Sequence, residues 1–188
     1  GLCELYWLEY EHNPTDDSVA RAEQSCEGAL SIDPQLVDVQ LALGRLYFGK
    51  GQYDNAVSAY QNAMKLDPRS DQAYRGLSRV YLDLNQVDKA LATYGRAVAL
   101  HPGYWLNYSE LGKLYLSRGQ YDKALRWFRK AIDLTPDNVE VYSSLGMTLF
   151  MKGDFTAASA AYRHSLELKP TAAALASLGD VYYHLADF

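Results

Sequence analysis

Residues 44–51 read GRLYFGKG and fit the first seven positions of a phosphate-binding loop. Such a loop needs Ser or Thr at the eighth position to hold magnesium, and it must follow a strand and open a helix. The eighth residue here is Gly51. The four histidines, His12, His101, His164 and His184, are scattered along the chain. None stands four residues from another His or Cys, so the spacing indicates no metal site. Cys3 and Cys26 lack metal-ligand spacing as well. Whether they pair is left open, the unpaired state being preferred. No serine or cysteine has an identifiable base. Asn107-Tyr108-Ser109 spells a glycosylation sequon, but Tyr108 falls on the buried face of a helical pattern. The expectation is a non-enzyme with no cofactor and no metal.

A different constellation does recur. Arg45, Arg79 and Lys113 stand 34 residues apart, and Met147 continues the series. Asp180 closes it after a one-residue deletion. Three positions beyond each lie Phe48, Leu82, Leu116, Phe150 and Tyr183, and Arg75 adds a further cation. Cations at one repeat position, beside an apolar and aromatic row, suit recognition of an extended acidic segment. The competing reading is a solvated face, with Arg75 paired to Asp71, Arg79 to Asp83 and Lys113 to Glu110 at helical spacing.

A row of this kind needs elements that repeat at the same pitch. Prolines fall at Pro34, Pro68, Pro102, Pro136 and Pro170, every interval being 34 residues. Unbroken self-similarity of that period is produced by stacked supersecondary units. In residues 105–138, Tyr108, Leu111, Gly112 and Tyr115 share one helical face. The turn SRGQYD follows, with a glycine and an aspartate expected to cap the next helix. Ala124, Phe128, Ala131 and Ile132 then recur at helical spacing, and Pro136 ends the helix. Gly112, Ala124 and Ala131 are small enough for two helix backbones to approach, while Tyr115 and Phe128 fill what remains. Gly44, Ala56 and Ala63 repeat the alternation in one copy; Gly146 and Ala158 do so in another. Ser78 stands in for glycine beside Ala90, and Ser165 stands in for the last alanine.

This pattern resembles the tetratricopeptide repeat, two antiparallel helices in 34 residues. Its signature has an aromatic at position four, Leu-Gly at seven and eight, and Tyr at eleven. Alanines follow at twenty and twenty-seven, an aromatic at twenty-four, and proline at thirty-two. Residues 105–138 match at every one of these positions. The resemblance implies an all-α, right-handed superhelical solenoid with complete repeats at 37–70, 71–104, 105–138 and 139–171. Residues 172–188 form the first helix of a truncated repeat, and 1–36 a divergent one with an elongated first helix. That helix is expected to break at Asn13-Pro14, with its successor capped within Thr15 to Ser18. The chain begins without methionine and stops mid-pattern, so it reads as a piece of something longer.

In the resembled family, positions two, five, nine and twelve of each first helix line a concave groove for peptides or partner helices. The family's chaperone-tail carboxylate clamp fails by letter: Leu41 and Arg45, then Gly76, then Leu106 and Glu110 occupy its positions. The position-six asparagine ladder of sugar-transferase superhelices is likewise replaced by Ala42, Gly76, Glu110, Ser144 and Ser177. The expectation is a protein-interaction scaffold that can take an acidic segment. The alternatives are the regulatory arm of a signalling enzyme, or self-association through the uncovered Leu175, Leu178 and Tyr182. A formal net charge of −5 argues against nucleic acid, and no apolar stretch is long enough for direct membrane insertion. The sequence leaves the compartment open, with the cytoplasm as the favoured reading.

Overall fold

The computed structural model describes residues 15–186, all of whose regular structure is helical. The break expected at Asn13-Pro14, His12 and Cys3 lie outside the described residues, whereas Cys26, for which the unpaired state was preferred, is disulfide-bonded. The chain divides into two compact units, Gly1–Leu100 and His101–Phe188.

The first unit holds α1 (Asp16–Ile32), α2 (Val37–Gly49), α3 (Tyr53–Leu66), α4 (Asp71–Asp83) and α5 (Val87–Leu100). Successive helices pack on one another, and α2 also touches α4 directly. Turns as short as residues 50–52 and 84–86 join packed neighbours, so those neighbours run antiparallel. The second unit repeats the scheme with α6 (Trp105–Ser117), α7 (Tyr121–Leu134), α8 (Val139–Lys152), α9 (Phe155–Leu168) and α10 (Ala172–Ala186).

Turn chemistry explains where the hairpins bend. Gly51, Gly119 and Gly153 all take positive φ, where a side chain would be strained. The copy that lacks this glycine uses Asn85 at φ 56°, the residue type that best tolerates the left-handed region. Thr15 caps α1 in a reciprocal capping box with Ser18. Ser70 and Asn138 cap α4 and α8 through the backbone N–H of Ala73 and Val141. The aspartate of SRGQYD does something else. Gln120 occupies the cap of α7 without a side-chain bond, and Asp122 sits inside the first turn. There it accepts from Lys152 on α8 at 2.6 Å, and that bond holds its carboxyl below the usual range.

The small positions are the tightest contacts. Ala56, Ala63, Ala90, Ala124, Ala131 and Ala158 are wholly buried. Ser78 and Ser165 are equally buried, and their hydroxyls donate to Tyr74 O and Val139 O. A polar group at such a position is tolerated because it is satisfied. A methyl added to Gly112 would lie 2.7 Å from the Phe128 ring, and one on Gly44 would lie 2.7 Å from Tyr60. The prolines contribute acceptors beyond the helices they end: Tyr108 donates to Pro102 O at 2.8 Å and Tyr74 to Pro68 O at 3.4 Å. Those two hairpins are thereby tied to the turns that precede them.

Candidate functional site

The phosphate-loop letters are disposed of by their placement. Gly44 lies in the middle of α2, buried against Tyr60, and Gly49 is the last residue of that helix. Asn107 and Ser109 are fully buried, so the sequon has no accessible amide. Among the described residues, no group of three or more His, Cys, Asp and Glu could hold a metal ion. No described helix is long and apolar enough to cross a membrane.

The cations of the recurrent row have different surroundings. Arg75 forms an ion pair with Asp71. Lys113 reaches two carboxylates, Glu110 at 3.2 Å and Glu140 at 2.6 Å. Burial alone would lower its pKa, but the hydrogen bonds and charges of Glu140 and Glu110 reverse this and hold it above the ordinary value. The Lys113 side chain is 39% exposed.

Arg79 makes no ion pair with Asp83, contrary to the helical-spacing expectation. Asp83 instead accepts from the Tyr53 hydroxyl at 3.4 Å. The Arg79 guanidinium lies over the Phe48 ring, 5.9 Å from its centroid, in cation–π geometry. Packing of α2 against α4 brings these two residues together, and no spacing within one helix could have revealed it. Arg45 is half-buried, and its Nε is fully buried with no hydrogen-bond partner. Among the described residues neither Arg45 nor Arg79 is neutralised by a carboxylate.

Between these two arginines stands a residue assigned above only to packing. Tyr60 on α3 is 4% exposed. Its ring fills the space left by Gly44 on α2 and by Gly76 on α4. Burial pushes the hydroxyl pKa up to about 12, against the opposing pull of Arg45 and Arg79. At neutral pH the phenol is protonated, as an unperturbed one would be, and can donate. The sequence signal for this was available: Gly76 is the one glycine at position six.

The apolar row is half-buried along most of its length. Phe48 meets Tyr53 at 6.0 Å, and Phe150 meets Phe155 at 5.5 Å and His184 at 5.3 Å. Leu82 and Leu116 are also half-buried, whereas Tyr183 is 69% exposed. On α10, Leu175 and Tyr182 are exposed, while Leu178 packs partly against the core of the second unit.

Family models described as tetratricopeptide repeat match residues 41–104 and 139–171, and one described as TPR repeat matches 112–153. No curated protein sequence matches. Among solved structures, the crystal structure of MamA is 28% identical. It covers 81% of this chain and 90% of its own, at a TM-score of 0.69. TTC0263, a thermophilic TPR protein of Thermus thermophilus, is 22% identical over 96% of this chain and 97% of its own, at 0.76. YrrB, described as a TPR protein with an unusual peptide-binding site, is 20% identical over 86% and 84%, at 0.64. At such identities the last two demonstrate the shared fold.

Proposed function

The chain belongs to the tetratricopeptide repeat family, a family of protein-interaction scaffolds, and on that premise we propose that it binds an acidic segment of a partner protein on the α2–α4 face of its first unit. Arg45 and Arg79 are the residues that meet the partner's charge, with half-buried Phe48 and Leu82 supplying apolar contact. One observation carries the reading. In a chain with an excess of acidic residues, two position-nine cations on packed helices have no carboxylate partner among the described residues. Elsewhere in the row, Arg75 and Lys113 are paired internally. A solvated face would be expected to treat all four alike. The description of YrrB as having a peptide-binding site is consistent with this reading.

The test is titration calorimetry with a short blocked peptide alternating glutamate with leucine, at two salt concentrations. The parent should bind, and its affinity should fall as salt rises, because exposed charges are screened over about 8 Å at physiological ionic strength. The double variant Arg45→Glu/Arg79→Glu should keep its helicity and lose the binding. Equal affinities for both proteins, with no salt dependence, would refute the proposal.

A further inference from the structure

We infer that Arg45, Tyr60 and Arg79 form a subsite for a single peptide carboxylate, with the Tyr60 hydroxyl as the central donor. The inference rests on the acidic-segment reading and narrows it to three side chains on three helices of the first unit.

The argument is a comparison of two equivalent positions. Tyr60 and Tyr162 both occupy position twenty-four, and both are buried against the first helix of the following repeat. In the second unit that helix offers Ser177 at position six, whose hydroxyl pulls the Tyr162 pKa down against the effect of burial. In the first unit the same position is Gly76. A methyl on Gly76 would lie 2.8 Å from the Tyr60 hydroxyl oxygen, so glycine both admits the ring and withholds a partner from it. Among the described residues the Tyr60 hydroxyl has no hydrogen-bond partner. The hydroxyl is not among the fully buried polar atoms that lack a partner, so the tip of this otherwise buried side chain reaches the surface, where a ligand can meet it.

The flanking residues indicate what completes it. Position nine beside Tyr60 is Arg45 on one side and Arg79 on the other. Beside Tyr162 the same positions are Met147 and Asp180, and the Asp180 charge acts on the Tyr162 hydroxyl. The second unit therefore has the tyrosine without the cations, and beside it a hydroxyl-bearing residue at position six. Among the described residues the first unit has two guanidiniums without a carboxylate partner, a buried Arg45 Nε with no hydrogen-bond partner, and a phenol hydroxyl able to donate. The guanidiniums can only donate, and the phenol hydroxyl can donate beside them. A planar carboxylate, with two oxygens and about four lone-pair sites, matches such a set. That carboxylate belongs to an acidic side chain or to a chain terminus, and the test separates the two.

The experiment follows the arginine Nε–H signals of the intact chain by NMR. One probe is blocked penta-alanine with a central glutamate, whose only carboxylate is a side chain. A second is acetylated penta-alanine with a free C-terminus. The glutamine-centred blocked peptide is the neutral control, and its phosphoserine counterpart tests a phosphate. Saturable shifts of Arg45 and Arg79 are expected with the first or the second probe, and that probe identifies the source of the carboxylate. Tyr60→Phe keeps the ring between Gly44 and Gly76 and should weaken binding roughly tenfold. Lys113→Gln should leave it unchanged.

Unchanged affinity in Tyr60→Phe, or shifts only with the phosphoserine or neutral peptide, overturns the subsite. If the glutamate–leucine peptide binds the chain but moves neither arginine, the subsite fails while an acidic partner survives. If it does not bind at all, both readings fail.

Discussion

The hydroxyl oxygen of Tyr60 lies 2.8 Å from the point where a methyl group on Gly76 would sit, and the ring carbons lie closer still. Gly44 meets the same ring, so it cannot retreat toward α2. Gly76→Ala should therefore destabilise the first unit. Overpacking of this kind costs about 1–3 kcal/mol, against a helix-propensity gain of at most about 1 kcal/mol. Chemical denaturation should show a lower midpoint for the variant. A variant as stable as the parent would mean that the ring is free to move aside.

Gly112→Leu tests the same contact in the second unit. The added Cβ would meet the Phe128 ring at 2.7 Å, and Phe128 is wholly buried. A loss of about 1–3 kcal/mol or more is expected, read as a lower unfolding temperature. No change would remove Gly112 from the helix contact.

Alkaline pH should destabilise the fold through Tyr60. Its folded pKa is raised from 10.0 to about 12, so folding favours the neutral phenol. The contribution is complete below the unfolded value and is lost as pH rises through the folded one. Between about pH 10 and 12 the parent should lose on the order of 2 kcal/mol more than Tyr60→Phe, which cannot ionise. Denaturation midpoints of the two proteins across that range make the comparison, and parallel curves would contradict it.

Freeing Lys113 should change charge recognition with little effect on stability. Its pairs with Glu110 and Glu140 are partly exposed, and such pairs are worth about 0–1 kcal/mol. Glu110→Gln/Glu140→Gln should leave the melting temperature nearly unchanged. The same variant should bind the glutamate–leucine peptide more tightly than the parent does, by calorimetry at low salt. Weaker or unaltered binding would show that Lys113 is inaccessible to a partner even when unpaired.

The helical hairpins, and the alternation of small and large residues that packs them, were legible in the order of the residues. These are properties of contiguous chain. A 3.6-residue apolar period, a residue able to take positive φ and a proline that cannot continue a helix act wherever they stand. Asn85 shows how far this reaches, since it takes the left-handed turn conformation without a glycine. The wholly buried Ala56, Ala124 and Ala158 show the packing half of the same reading. Local reading was weaker where two residues compete for one role: Asp122 carries the letters of a cap but pairs with Lys152, 30 residues on.

Which recurrent cations remain unpaired was settled by helix packing alone. Letters make Arg45, Arg79 and Lys113 equivalent. Lys113 is claimed by Glu140, 27 residues away on a packed helix, and Arg79 turns to Phe48 instead of the nearby Asp83. The role of Tyr60 was hidden for the same reason. Its position fixes the burial of the ring, but its hydroxyl depends on what the facing helix carries, which is Gly76 here and Ser177 at the equivalent place. Periodicity can place a side chain on a face. Whether its charge or hydrogen bond is already satisfied depends on groups that only packing brings within a few ångströms, because these interactions act over short range.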